Sequence, residues 1–317
     1  MLRKKIAVVG AGPSGLVTAK VLQSRGHEVV VIEKECSVGG AFRWRSYEDS
    51  RMVSSKYLTA FSDLRIPASA DTHLTLDDYV KYLEAYTKKF NIEPIFSTVV
   101  ESIEKEGEGY VVTCKNANSE WSACYDAVAI CSGLHTYPRL VPIEKEHVET
   151  MHSANYTSGK NIFQKKRVII VGTGETAFDA GWAAANNGAK HVTMITRTGF
   201  VSIPAELSKA LPPLDTILAN FGTHAWESNW SRNYSFHWWI TTKLNRLGML
   251  LTTGSSIGFN QYCGRSDSMT WDEGRKHVVN KATKCMALLN RPVKTGYFER
   301  FFFWLLGCTC RECTYWY

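Results

Sequence analysis

The chain has 317 residues, 44% hydrophobic and 21% charged, with a net charge of +7; this is the balance of an ordinary globular protein with room for about two domains. The basic residues are scattered and little interleaved with aromatics, which argues against nucleic-acid binding and leaves an anionic small-molecule cofactor as the partner the charge suits. The apolar run after Lys5 ends at glycines too early for a signal peptide, and "FFFWLL" (Phe301 to Leu306) is far shorter than the roughly 20 residues of a membrane-spanning helix. The expectation is a soluble, cytoplasmic protein, with peripheral endomembrane contact left open.

The first elements are a strand, "KIAVVG", a glycine turn, a helix, "PSGLVTAKVLQSR", closed by Gly26, and a second strand, "EVVVIEK". An irregular segment, 36–70, leads to an amphipathic helix. Thr75 and Asp78 form its capping pair, and Tyr79, Val80, Leu83, Tyr86 and Phe90 its apolar stripe. Strand-like runs "GYVVTCK" and "YDAVAICSG" close a first region near Gly133. The stretch 134–166, with Pro138 and Pro142, reads as a connection. A second strand–turn–helix–strand unit follows as "RVIIVG", "ETAFDAGWAAANN", ended by Gly188, and "HVTMITR". Beyond it "SFHWWITTKLNRLGMLL" reads as one long helix, and the tryptophans from Trp226 to Trp239 read as buried packing more than as a membrane or substrate surface.

The two units carry the chemistry. Gly10, Gly12 and Gly15 follow an apolar strand and open a helix, as a dinucleotide fingerprint requires. Gly10 permits the turn, Gly12 lets a pyrophosphate approach the backbone, and Gly15 lets helix and strand pack closely. The helix N-terminus directs orphan N–H groups at the phosphates. Glu33, ending the second strand 21 residues after Gly12 (33 − 12), accepts hydrogen bonds from a ribose 2′-hydroxyl and repels a 2′-phosphate, so this unit suits FAD or NAD. The second unit has Gly172, Gly174 and Ala177. Where the first has its acid, it has Arg197, 23 residues after Gly174 (197 − 174), flanked by Thr196 and Thr198. A guanidinium there suits a 2′-phosphate, so this unit prefers NADPH. The expected fold class is α/β, with two Rossmann-like dinucleotide-binding domains, and the expected electron path runs from NADPH to a flavin.

The motifs "GAGPSGL", "IEKECSVGGAF", "SSKYLTAFSDL", "CSGLHTYP", "HSANY" and "GTGETAFD", in this order, resemble the flavin-containing monooxygenases, of the dimethylaniline monooxygenase type. The resemblance is clear from Lys5 to Arg197 and faint from Phe200 to about Pro292. It implies an enzyme that uses FAD, NADPH and O₂ to form a C4a-hydroperoxyflavin. That species oxygenates a soft nitrogen or sulfur nucleophile, so a small-molecule amine or sulfide is the implied substrate. It also implies that few acid–base side chains take part, and no catalytic side chain is singled out. The implied domains are residues 1–157 for FAD, 158–297 for NADPH with a helical insertion, and 298–317 as a divergent tail, the NADPH domain being inserted in the FAD domain.

Position by position, the resemblance implies that Gly10, Ala11, Gly12, Pro13, Ser14, Gly15 and Glu33 hold the FAD diphosphate and ribose. Gly40, Ala41, Phe42, Val53 and Ser54 would lie along the flavin, and Val100 would touch adenine through its backbone. Gly172, Gly174, Glu175 and Thr176 would face the NADPH pyrophosphate, with Ile195, Thr196, Arg197 and Thr198 around its 2′-phosphate. Departures from the family pattern are Phe42 for Trp, Val53 for Asn, and Glu146 and Val148 within the signature that ends in His152 and Tyr156. His152 reads as structural. The tail "YFERFFFWLLGCTCRECTYWY" does not match, and the family's strand that completes the FAD domain is not found. The expectation is therefore a truncated or alternatively spliced product, or mis-assigned gene boundaries.

Two other readings stand beside this one. Cys310 and Cys313 form a C-x-x-C that suits a thioredoxin-reductase-like disulfide reductase, although it lies in neither nucleotide unit. With Cys308 they make an incomplete zinc set, without a nearby His. Val53 and the divergent tail motivate a non-catalytic nucleotide-binding remnant. The other six cysteines are isolated, as in a reducing compartment.

Overall fold

The computed structural model describes residues 2–134, 137–138, 148–197 and 199–202, with shorter pieces at 205, 212–213, 215–216, 233–253, 269–270, 273 and 278–279. The chain divides into two units, Met1–Met52 with Thr59–Thr157, and Val53–Leu58 with Ser158–Tyr317. The motif "SSKYLTAFSDL" is thus divided, Ser54 to Leu58 grouping with the second unit and the remainder with the first.

In the first unit β1 (Lys5–Val9), α1 (Pro13–Ser24) and β2 (Glu28–Ile32) form a βαβ unit whose strands pair in parallel, Ile6 beside Val29 and Val8 beside Val31. Small and β-branched residues suit a strand covered on both faces, and Ala7 and Val8 are fully buried. Pro13 starts α1 where a missing N–H is harmless, and Gly26, at φ +83°, takes the left-handed turn after its end. On the other side of β1 runs β6 (Ala127–Ile130), also parallel, giving the order β2-β1-β6. Ile95 extends this layer, donating to Val31 O at 2.8 Å and accepting from Glu33 N–H at 2.9 Å.

Two short helices, α2 (Ala41–Trp44) and α3 (Lys56–Thr59), precede α4 (Leu76–Lys89). Thr75 caps α4: its Oγ1 accepts Asp78 N–H at 3.1 Å and donates to Asp78 Oδ2 at 2.7 Å. The stripe beneath, Tyr79, Leu83 and Tyr86, packs on Val8, Leu16, Ala19 and Val31. Tyr82 joins it with its hydroxyl fully used, accepting from Phe61 N–H at 2.8 Å and donating to Leu64 O at 2.9 Å. Burial holds the Tyr79 phenol up at about 12.

An ion pair between Lys20 of α1 and Asp63 fastens the 61–64 loop to the same core. The Lys20 hydrogen bond holds the Asp63 carboxyl below its ordinary value of 3.8, with burial acting the other way. A carboxyl with a depressed folded-state pKa binds fewer protons when folded. The pair's stabilisation is therefore fully present above that ordinary value and fades as pH falls below it. Asp63→Asn is expected to lower Tm by about 2–4 °C near neutrality, the equivalent of ~1 kcal/mol. Thermal melts repeated down to about pH 3 should show the gap to wild type closing. A gap independent of pH assigns the effect to packing.

An antiparallel meander, β3 (Val99–Glu106), β4 (Gly109–Lys115) and β5 (Glu120–Tyr125), buries Val112, Cys114 and Tyr125 against Ala7 and Ile32. Of these strands the sequence points only to β4. β5 alternates exposed and more buried residues over a half-solvated sheet, whereas in β3 the charges of "VVESIEKE" and a register shift between Val100 and Ser102 leave no clean period.

The second unit repeats the βαβ pattern with β7 (Arg167–Val171), α5 (Glu175–Asn186) and β8 (His191–Ile195), the strands again parallel. Phe178, Ala185, Met194 and Phe200 form its core, with Phe178 edge-on to Phe200 at 4.8 Å. Ile169 and Val171 face the other way, 64% and 74% exposed. β9 (Val201–Ser202) pairs in parallel with β10 (Val278–Val279). The long helix is present as α6 (Ser235–Thr253), with Trp238 buried and Trp239 41% exposed, so the adjacent tryptophans divide between packing and surface. Trp226, Trp230 and the tail with Cys308, Cys310 and Cys313 lie outside the described residues, as does Glu146. Among the described residues no helix is long and apolar enough to cross a membrane, and no cluster of His, Cys, Asp or Glu could hold a metal ion.

Candidate dinucleotide sites

Each strand–glycine–helix turn is closed by the same bond: Gly10 N–H donates to Ile32 O at 2.8 Å, and Gly172 N–H donates to Ile195 O at 2.8 Å. Each helix then starts at a glycine with extended backbone, Gly12 for α1 and Gly174 for α5, and no side chain caps either start. Helix N–H groups left without a side-chain acceptor, at the positive end of the dipole, suit an anion.

The glycines of the first turn do different work. A Cβ on Gly15 would lie 1.8 Å from Gly10 O, and one on Gly10 would lie 2.5 Å from Cys131 O, so the fold itself demands glycine at both. A Cβ on Gly12 would meet only Gly40 Cα, at an ordinary 3.7 Å. Among the described residues no other atom crowds that face of Gly12, which suits it to a ligand's approach. In the second turn a Cβ on Gly172 or Gly174 would meet nothing within 4 Å, although Gly172, at φ +118°, is conformationally restricted to glycine. The residues present therefore fit a dinucleotide diphosphate at both turns.

Glu33 is buried at the end of β2. Its Oε2 accepts Ala11 N–H at 2.5 Å and its Oε1 accepts Glu35 N–H at 3.0 Å. The carboxylate thus ties the glycine turn to the loop after β2, a structural role the spacing alone does not reveal. Each oxygen keeps a further lone pair for a ribose hydroxyl. Pro13 is half-buried and Ser14 exposed at the start of α1.

The loop expected along the flavin approaches the same turn. Gly39 N–H donates to Ala11 O at 3.1 Å, and Gly40, at φ +55°, starts α2. Ala41 is exposed, while the half-buried Phe42 meets Tyr79 edge-on at 4.9 Å. Val53 and Ser54 group with the second unit. There the fully buried Ser55, not singled out from the sequence, donates its N–H to Asp215 Oδ2 at 2.6 Å. Val100 lies in β3 opposite Cys114, beside the irregular register that ends at Ser102. His152 caps a 3₁₀ turn, its Nδ1 accepting Ala154 N–H at 3.0 Å, and Tyr156 lies against Tyr47 at 5.5 Å. These are structural contacts.

In the second unit Arg197 is exposed just past β8. Thr196 is committed locally: its Oγ1 accepts Gly199 N–H at 3.0 Å and is hydrogen-bonded to the Thr173 hydroxyl at 3.2 Å. Thr173, which the sequence does not single out, thereby joins the glycine turn to the loop that bears Arg197. Ile195 presents its carbonyl to Gly172. Glu175 and Thr176 form the first turn of α5, so an acid stands at the helix end expected to face phosphate. Thr198 lies outside the described residues.

Residues 7–218 match the pyridine nucleotide-disulphide oxidoreductase family. "Monooxygenase PC-14" of Penicillium crustosum is 34% identical over 92% of this chain and 55% of its own length. A "Dimethylaniline monooxygenase [N-oxide-forming] 2" of Cavia porcellus is 31% identical over 62% of this chain and 41% of its own. The solved structure of a mutant flavin monooxygenase from Stenotrophomonas maltophilia superposes with a TM-score of 0.59 at 22% identity, over 71% of this chain and 64% of that one. The chain belongs to the pyridine nucleotide-disulphide oxidoreductase family. It spans about half the length of the curated relatives it matches over most of its own length, 55%, 52% and 53% of the first three.

Proposed function

We propose that the protein is an FAD- and NADPH-dependent monooxygenase acting on a soft nitrogen or sulfur nucleophile, a small amine or thioether. The observation that carries this reading is the pair of glycine turns with opposite charges at the ends of their second strands, Glu33 in one and Arg197 in the other. Monooxygenase names among the relatives support the reaction type, and the dimethylaniline monooxygenases among them support the substrate class.

The chain's own groups act mainly by binding and orienting. Gly12 and the N-terminus of α1 receive the FAD diphosphate, and Glu33 accepts the ribose hydroxyl. The Gly40–Phe42 loop would help hold the ring system. The N-terminus of α5 receives the second pyrophosphate, and Arg197 pairs with the 2′-phosphate. Bound flavin supplies the two-electron chemistry that lets O₂ react. The balance is NADPH, a proton, O₂ and a sulfide giving NADP⁺, water and a sulfoxide; an amine gives its N-oxide in the same way.

Purified protein supplied with FAD should consume NADPH and O₂ and form sulfoxide or N-oxide in equal amounts. Hydrogen peroxide as the sole product, or NADPH-dependent reduction of a dithiol reagent without oxygenation, would overturn the reading.

A further inference from the structure

We propose that Arg43 is the positioning residue that sets the flavin-side loop, clamping the Gly39–Gly40 pair between the first glycine turn and α4. The inference rests on the FAD reading above and adds a residue that the reading does not contain.

Gly39 and Gly40 are consecutive left-handed residues, at φ +128° and +55°. Glycine reaches such angles without strain but also populates many others, so a glycine pair holds one shape only when neighbours select it. Gly39 N–H bonds to Ala11 O at 3.1 Å and ties one side of the pair to the phosphate turn. Arg43 governs the other side. Its Nε donates to Val38 O at 2.9 Å, reaching back across the glycines to the residue before them. Its Nη2 pairs with Glu84 on α4. The side chain lies so close over Gly39 that a Cβ there would stand 2.9 Å from Arg43 Cβ and 3.4 Å from its Nε. Phe42, one residue earlier, meets Tyr79 on the same helix, so α4 holds the loop at two adjacent points.

Partial exposure limits what the Arg43–Glu84 pair adds to stability. The two side chains are 29% and 50% accessible, and pairs of that kind contribute little to folding. What the guanidinium adds is geometry: a planar fork makes two differently directed bonds at once, to a loop carbonyl and to a helix carboxylate. A lysine can make the second of these but not both. Gly40 faces Gly12 closely, a Cβ on Gly40 standing 3.1 Å from Gly12 Cα. Any drift of the glycine pair therefore narrows or opens the approach to Gly12.

The test is FAD binding to apoprotein, read by flavin-fluorescence quenching, alongside the apoprotein Tm and the visible circular dichroism of the bound flavin. Wild type, Arg43→Ala, Arg43→Lys and Glu84→Gln are compared. Arg43→Ala is expected to weaken FAD binding about 10- to 100-fold, because binding must then order a loop that Arg43 holds ready, with Tm within about 2 °C of wild type, since a part-exposed pair contributes little to folding. Arg43→Lys should keep Tm and recover little of the affinity. Glu84→Gln should fall between wild type and Arg43→Ala and change the circular dichroism in the same direction. Wild-type affinity in Arg43→Ala, or affinity that Arg43→Lys restores in full, overturns the proposal and leaves the FAD reading standing. Wild-type protein that binds no FAD overturns both.

Discussion

Alanine at Gly12 is expected to leave the fold intact and to raise the Kd for FAD about 100-fold or more, whereas alanine at Gly15 should damage the fold itself. The structure separates the two. Gly12 has φ −77° and ψ −178°, a conformation any residue adopts, and an added methyl would make only one ordinary contact, 3.7 Å from Gly40 Cα. Replacing a glycine at such a site is neutral or slightly favourable for stability, because the unfolded chain loses freedom. The same methyl would stand where a diphosphate must approach the backbone, displacing it from charge-assisted N–H bonds that each contribute about 1.5–3 kcal/mol. At Gly15 the methyl would lie 1.8 Å from Gly10 O, a backbone atom that cannot yield without opening the turn. Overpacking on that scale destabilises by about 3 kcal/mol or more and should lower Tm by ~10 °C or leave the protein insoluble. Melts of the apoproteins and flavin titrations distinguish the two effects. Gly12→Ala protein that binds FAD as wild type does would remove the first turn from the list of diphosphate sites.

Reversing the charge at Arg197 is expected to exchange the nicotinamide preference. Arg197→Glu replaces a donor matched to a dianionic phosphate by a like charge. Its Kd for NADPH should rise about 100-fold, while that for NADH changes less than about threefold. Because Arg197 is exposed, the wild-type advantage for NADPH should also shrink as salt is raised. Isothermal titration of both nucleotides at two ionic strengths is the measurement. Equal weakening of NADPH and NADH would mean that the guanidinium merely ends β8 and does not read the 2′-phosphate.

Much of this arrangement is legible in the sequence because it is local. Each βαβ unit announces itself through an apolar strand, a glycine turn and a helix within about thirty residues. The cap of α4 is visible in Thr75 and Asp78, and α6 in its unbroken helical pattern. What the sequence hides depends on residues that meet only in space. Cys131 O walls the first glycine turn from the far end of the unit, and the Glu33 carboxylate bonds to Ala11 and Glu35 before any ligand arrives. Arg43 looks like an ordinary loop charge until its bonds to Val38 and Glu84 are seen together. The strands β3 and β5 are hidden for another reason: a half-wet meander needs few apolar residues, and in β3 the charges leave no clean period.

The burial of Glu33 makes the two nucleotide sites unequal as targets for redesign. Arg197 stands in solvent, and its charge can be exchanged with little else to repair. Glu33 is 5% exposed and joined to two backbone N–H groups through separate oxygens, so replacing the carboxylate strands at least one of those donors. On the proposed reading, the nicotinamide choice can be retuned with a single surface substitution, whereas exchanging the nucleotide of the first turn means rebuilding the turn.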